Sequence, residues 1–259
     1  MDLQNLPIGL FDSGVGGLTI WKEVHERLPQ ESTIYLADSK NAPYGIKTKQ
    51  EIIDLCKKNI DFLINKGVKL IVIACNTATT NAIVELREMY EIPIIGLEPA
   101  IKPASISSRT KKVGVLATKG TIQSEKFQKS MSLYPDVEFI KQIGYNLVQL
   151  IENGQKDSKE MQLLLKQYIS PMVEKDVDHI VLGCTHYPFL KSQIKEMVPS
   201  TVHIIDSGLA VAKRVEAVLE EKNLRTNLEH AVSSFYINTD PKVMSSLLED
   251  KYSITSEDF

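Results

Sequence analysis

The chain has 259 residues, 43% of them hydrophobic and 24% charged, with a formal net charge of -3. That is the profile of an ordinary soluble globular protein of one large domain or two small ones. It argues against a nucleic-acid partner, since no Lys/Arg cluster tracks phosphates. It also argues against a membrane span, since no apolar run approaches ~20 residues. The opening Met-Asp-Leu-Gln-Asn-Leu-Pro has neither a basic nor an apolar stretch, so no export signal and a cytoplasmic location are expected. Three cysteines, at 56, 75 and 184, make no disulfide framework and are expected to be reduced.

In chain order, residues 7–11 read as a short buried strand. Asp12-Ser13-Gly14-Val15-Gly16-Gly17 is a glycine-rich turn, and Leu18 to Leu28 is a helix stopped by Pro29. Thr33–Ala37 is a second strand, followed by a polar loop from Asp38 to Gly45. Thr48 to Lys66 is an amphipathic helix with Ile52, Cys56, Ile60 and Leu63 on one face and Gly67 as its stop. Leu70-Ile-Val-Ile-Ala-Cys75 is a buried strand that ends abruptly in a cysteine, with a helix expected from Thr79 to Met89. Ile94–Leu97 is a strand ending in Glu98-Pro99.

The second half starts again. Lys112–Ala117 is a strand with a polar turn at 118–121, then a helix from Ile122 to Met131 and a strand at Val137–Ile140. A short helix at Asn146–Glu152 precedes a long one from Ser158 to about Lys175, which Pro171 is expected to kink or interrupt. Ile180-Val-Leu-Gly-Cys184 repeats the form of the Cys75 stretch, with Pro188 opening the next helix. A strand at Val202–Ile205, a helix at 209–222, a strand at Ser234–Ile237 and a helix at Pro241–Leu248 close the chain. Strands alternating with helices predict an α/β fold with mostly parallel sheets. Nearly equal lengths of chain separate Ile8 from Cys75 and Val113 from Cys184. The expectation is two similar α/β domains that face each other and contribute one cysteine each.

The chemistry is expected at the two cysteines. The carboxyl ends of strands in open α/β sheets are where ligands bind. A helix N-terminus following each cysteine would favour thiolate and lower the thiol pKa. Two such thiols could take a proton from one face of a carbon and return one to the other. Buried structural thiols are the plain alternative, and Cys56, on an apolar helix face without polar neighbours, is expected to be one.

Around this pair, Asp12 and Ser13 would point into the same cleft, the carboxylate meeting an ammonium or assisting a thiol, or else capping the next helix. Tyr44 and Gly45 could offer a hydroxyl and backbone N–H groups to a carboxylate, or form an ordinary turn. Asn76, Thr77 and Thr185 are either carboxylate donors or helix caps. His186 could tune Cys184 or donate to substrate. Gly14-Val-Gly-Gly lacks dinucleotide spacing, and Asp12 would repel a pyrophosphate. No closely spaced ligand pair supports a zinc site. No lysine stands out as a Schiff-base candidate. A Cys184-His186-Asp12 acyl-transfer triad is the more serious rival.

Taken together, Gly9-Leu-Phe-Asp12-Ser13-Gly14-Val-Gly16-Gly17-Leu, Asp38 through Pro43-Tyr44-Gly45, Ala74-Cys75-Asn76-Thr77-Ala, Glu98-Pro99-Ala100, Gly183-Cys184-Thr185-His186-Tyr187-Pro188 and Ile205-Asp206-Ser207-Gly208 resemble the glutamate racemase family. This is a branch of the cofactor-independent amino-acid racemases. The resemblance covers nearly the whole chain and implies two α/β domains related by a pseudo-two-fold axis, with the site in the cleft between them. The first would be 1–97 plus 209–259, the second 98–208. It implies Cys75 and Cys184 as the acid/base pair, Cys75 on the D-glutamate face and Cys184 on the L-glutamate face. Substrate contacts would fall on Asp12, Ser13, Tyr44, Gly45, Asn76, Thr77, Thr185 and His186, with Thr121 and Glu152 near the site. No cofactor or metal is implied, L- and D-glutamate are the partners, and a homodimer is a family expectation. D-Glutamate would feed bacterial peptidoglycan synthesis. One departure stands before Glu152: a Cys-Pro pair and a further proline of the family correspond here to Gly144-Tyr145 and Gln149.

Overall fold

The computed structural model describes residues 2–259. Its ten strands are β1 (Ile8–Asp12), β2 (Thr33–Ala37), β3 (Leu70–Ile73), β4 (Ile94–Gly96), β5 (Lys112–Ala117), β6 (Glu138–Ile143), β7 (His179–Gly183), β8 (His203–Ile205), β9 (Ser233–Ile237) and β10 (Ile254–Ser256). They form two sheets, ordered β10-β9-β2-β1-β3-β4 and β6-β5-β7-β8. All the pairings are parallel.

The order β2-β1-β3-β4 in one sheet repeats as β6-β5-β7-β8 in the other. Ile8 of β1 pairs with Leu70 of β3, and Val113 of β5 pairs with His179 of β7. Cys75 is the fifth residue after Leu70 and Cys184 the fifth after His179, so the two cysteines occupy equivalent places. The weak repeat in the sequence is therefore a topological repeat.

Strand residues alternate between the two faces, and both faces are buried. Ile8, Leu10, Leu70 and Val72 belong to one core that continues through Leu116, Ile180 and Leu182 of the second sheet. Phe11, Leu36, Ile71 and Ile73 pack on the opposite face, under the Lys49–Asn65 and Asn76–Met89 helices. Val113, Val115 and Val181 form the outer core of the second sheet. A shared core between the sheets holds the strand ends against each other.

Local chemistry explains most element boundaries. Thr48 and Glu51 make a reciprocal capping box at the start of the Lys49–Asn65 helix. Gly67, at φ +78°, ends it. Cys56 is buried on that helix's apolar face. Pro171 does not break the Lys159–Glu174 helix. It faces solvent, where water can meet the carbonyl it leaves unpaired. Among the α-helices and strands, two were not expected: a helix at Ile101–Ser107 and strand β10. Pro103 sits in the first turn of that helix, where its missing N–H costs nothing. The expected Ile122–Met131 helix is instead two, Lys119–Gln123 and Glu125–Ser132, broken at Ser124, whose hydroxyl caps the second.

Candidate active site

Asp12 ends β1, Asp38 follows β2, Cys75 lies just past β3, Thr118 follows β5 and Cys184 follows β7. All these carboxyl ends meet between the two sheets. A small cavity lies there, lined by both Cys75 and Cys184. Ser13, Tyr44, Gly45, Asn76 and Thr77 line it from the first half. Thr185 and His186 line it from the second. Of the ten expected site residues, only Asp12 is absent from the wall.

Asp12 stands directly behind that wall, fully buried. Its Oδ2 accepts from Gly17 N–H at 2.6 Å and from the Thr185 hydroxyl at 3.1 Å, and its Oδ1 faces the Ser13 hydroxyl at 3.5 Å. It therefore ties down the end of the glycine turn and also joins the two halves. Burial pushes its carboxyl up to about 6, against the lowering influence of the His186 charge.

The helix after Cys75 begins at Asn76, three residues earlier than expected, which makes Cys75 its N-cap. Its sulfur accepts from Ala78 N–H at 3.5 Å and approaches the Ser13 hydroxyl at 3.6 Å. The sequence suggested a lowered thiol pKa. The structure corrects this: burial, helped by the Asp12 charge, holds the Cys75 thiol well above its usual range, outweighing the N–H and hydroxyl donors. Cys75 rests as a protonated thiol.

Cys184 is placed differently. A 3₁₀ turn, Tyr187–Leu190, follows it, and the α-helix starts only at Lys191. Its sulfur lies 3.7 Å from His186 Nδ1. The opposite ring nitrogen, Nε2, meets Glu152 Oε1 at 2.5 Å. Burial would lower the His186 pKa, but its bonds to Cys184 and Glu152 and the Glu152 charge hold it well above the usual histidine value. His186 thus presents a cation to Cys184. The third member of this Cys–His–carboxylate chain is Glu152. Asp12, the residue type the acyl-transfer alternative needed, bonds elsewhere.

Glu152 also accepts from Val15 N–H at 2.7 Å and from the Ser39 hydroxyl at 2.7 Å. It is held by the first half although it belongs to the second. This accounts for the glycines before the first helix. A Cβ on Gly14 would lie 2.0 Å from Glu152 Oε1, and one on Gly16 would lie 2.2 Å from His186 Nδ1. The motif makes room for the partner half and has no need of a phosphate.

Three cavity residues were not singled out in the sequence: Pro43, Thr118 and Val148. Thr118 was assigned only to a polar turn. Its hydroxyl is 2.8 Å from that of Thr77, and Thr121 is within 3.3 Å of Thr77. Tyr44 also differs from its expected use. Its ring lines the cavity, but its hydroxyl donates to Asp38 Oδ2 at 2.5 Å and accepts from Asn59 at 3.1 Å.

Comparison with known proteins places this geometry. The family model described as Asp/Glu/hydantoin racemase matches residues 18–215. The chain belongs to that family. A curated glutamate racemase from Stutzerimonas stutzeri (strain A1501) is 42% identical over 244 residues, covering 93% of this chain and 92% of the relative. Among solved structures, glutamate racemase isoform RacE1 from Bacillus anthracis superposes with a TM-score of 0.89 at 31% identity, over 98% of each chain. The Francisella tularensis enzyme, solved in complex with D-glutamate, gives 0.85 at 32% identity, over 99% of this chain and 98% of its own. The α/β architecture of this racemase-family protein is that of these enzymes. Among the described residues, no helix is long and apolar enough to cross a membrane.

Proposed function

We propose that this chain interconverts L- and D-glutamate by direct proton transfer at Cα, with Cys75 and Cys184 as the two bases and no cofactor. The observation that carries this is two thiols from equivalent strands of a repeated fold on one cavity. The domain division proposed is 1–97 with 209–259 against 98–208. Its support is that β9 and β10 join the first sheet while β5 to β8 form the second.

In this reading the resting charge pattern sets the roles. Cys75 is the protonated partner, and the Cys184 sulfur faces the His186 cation. With L-glutamate bound, Cys184 takes the Cα proton and Cys75 delivers one to the opposite face. The enzyme form left by that turnover, with Cys75 deprotonated and Cys184 protonated, runs the same transfer in reverse on D-glutamate. Ser13 and Thr185, whose hydroxyls donate to Asp12, would leave their oxygens free to accept from the substrate ammonium. Asn76, Thr77 and Gly45 supply donors for carboxylates at the start of the Asn76–Met89 helix. With substrate filling this small cavity, fixed donors and the His186 charge would act on the carbanionic transition state at low dielectric. The product D-glutamate would supply bacterial peptidoglycan synthesis, and a cytoplasmic homodimer is the expected form.

The test is Cα exchange. Purified protein is incubated with L-glutamate and separately with D-glutamate in D₂O without pyridoxal phosphate, and the Cα–H NMR signal and optical rotation are followed. The expected result is loss of both from both enantiomers. Folded protein that exchanges neither would refute the proposal.

A further inference from the structure

We infer that Asn238, in the C-terminal return of the chain, is a positioning residue for the site, acting through the segment from Asp38 to Gly45. No residue beyond 208 lines the cavity, yet the C-terminal strand reaches its wall. Strand β9 pairs with β2 so that Ile237 lies beside Ala37. The next residue on each strand, Asn238 and Asp38, is therefore brought side by side at the strand ends.

The Asn238 amide is used on both its atoms. Its Nδ2 donates to Asp38 Oδ1 at 2.6 Å, and its Oδ1 accepts from Lys40 N–H at 2.9 Å. Asp38 is buried and has no ion-pair partner among the described residues. Its charge is compensated only by hydrogen bonds, from Asn238, from Asn41 at 2.8 Å and from the Tyr44 hydroxyl. Losing one of three donors leaves a buried carboxylate under-satisfied, and the loop must shift to find another.

What that loop carries makes the shift matter. Ser39 donates to Glu152, which holds His186 beside Cys184. Tyr44 and Gly45 form the wall on the Cys75 side. Asn238 thus stands behind both halves of the acid/base pair while touching neither.

This inference rests on the glutamate racemase reading, and the experiment separates the two. Wild type, Asn238→Ala and Asn238→Asp are compared as full chains for kcat and KM with each enantiomer, melting temperature and pH profile. Ser256→Ala serves as control, because it removes an exposed tether of the same C-terminal segment to Thr239. Asn238→Ala is expected to lower kcat/KM by roughly ten- to a hundredfold, as displacements near 1 Å do. The control is expected to match wild type.

Asn238→Asp sets a second carboxylate against Asp38, and the two cannot both stay ionised cheaply. Its defect is expected to be at least as large as that of Asn238→Ala, because it removes the same donor and adds a repelling carboxylate. Wild-type kinetics in either Asn238 variant would overturn the inference. If wild type itself does not racemise glutamate, the proposed function fails, and amide hydrogen exchange judges Asn238 alone. Faster exchange at Lys40 and Gly45 in Asn238→Ala supports the inference, and unchanged protection sinks it.

Discussion

Gly16→Ala is the sharpest single test of the site geometry. Gly16 lies in a 3₁₀ turn and is not among the residues with positive φ, so its backbone accepts alanine without strain. The added methyl would lie 2.2 Å from His186 Nδ1, against an ordinary contact of 3.4 Å or more. The ring must move by roughly 1.2 Å, a displacement of the size that costs about a hundredfold in rate. It cannot turn aside freely, because Glu152 grips Nε2 at 2.5 Å and the side chain is buried. Overpacking of this kind also costs about 1–3 kcal/mol of stability. Enantiomers have equal free energy, so kcat/KM must fall equally in both directions and cannot say which thiol was affected. The Cα-deuterium isotope effect can. His186 contacts Cys184, so the effect should grow more with deuterated L-glutamate, where Cys184 takes the deuteron, than with the D-enantiomer. Wild-type kcat/KM in Gly16→Ala, or a larger growth with D-glutamate, would refute the reasoning.

Gly67→Ala is the matched contrast. Its φ of +78° strains alanine, but nothing lies within 4 Å, so about 1 kcal/mol of stability should be lost in urea unfolding with turnover unchanged. Cys75→Ala and Cys184→Ala should each abolish racemisation in both directions, and normal turnover by either single-cysteine enzyme would end the two-base mechanism. The pH dependence of stability should carry two contributions of the same sign. Asp12 is raised from 3.8 to about 6, so the stability it contributes is full below about pH 4 and lost by about pH 6, roughly 3 kcal/mol in all. His186 is raised above 6.5, so its contribution is full below pH 6.5 and lost as pH rises through its higher folded value. Denaturation midpoints from pH 4 to 9 should flatten at the acid end in Asp12→Asn and at the alkaline end in His186→Asn. Lys69→Met should cost about 3–5 kcal/mol, because it strands Glu31, which Lys69 meets at 2.6 Å with both side chains buried. Restoration by a second change, Glu31→Gln, would tie the loss to that pair, and a loss below about 1 kcal/mol would refute it.

The periodic parts of the chain were legible without a structure. Aliphatic runs of four to six residues, rich in β-branched side chains and bounded by polar turns, read as buried strands, so β1, β2, β3, β5 and β7 and the alternation of helices between them follow from length and pattern. Cys75 and Cys184 stood out for the same reason, as polar chemistry at the ends of such runs. Short elements with mixed signals were not legible: the Ile101–Ser107 helix is masked by Pro103, and β10 is three residues long. The ionisation of Cys75 was misread because a helix N-terminus is visible in sequence whereas full burial beside Asp12 is not. The partner of His186 was hidden as well, since Glu152 is 34 residues away in the chain and arrives through packing of the two halves. Asn238 and Asp38, 200 residues apart, meet only through the register of β9 on β2. Local pattern by itself determines which segments are strands, which are helices and which thiols end them. Which charges face those thiols, and how strongly, depends on distance and desolvation between remote segments, and only the tertiary structure decides that.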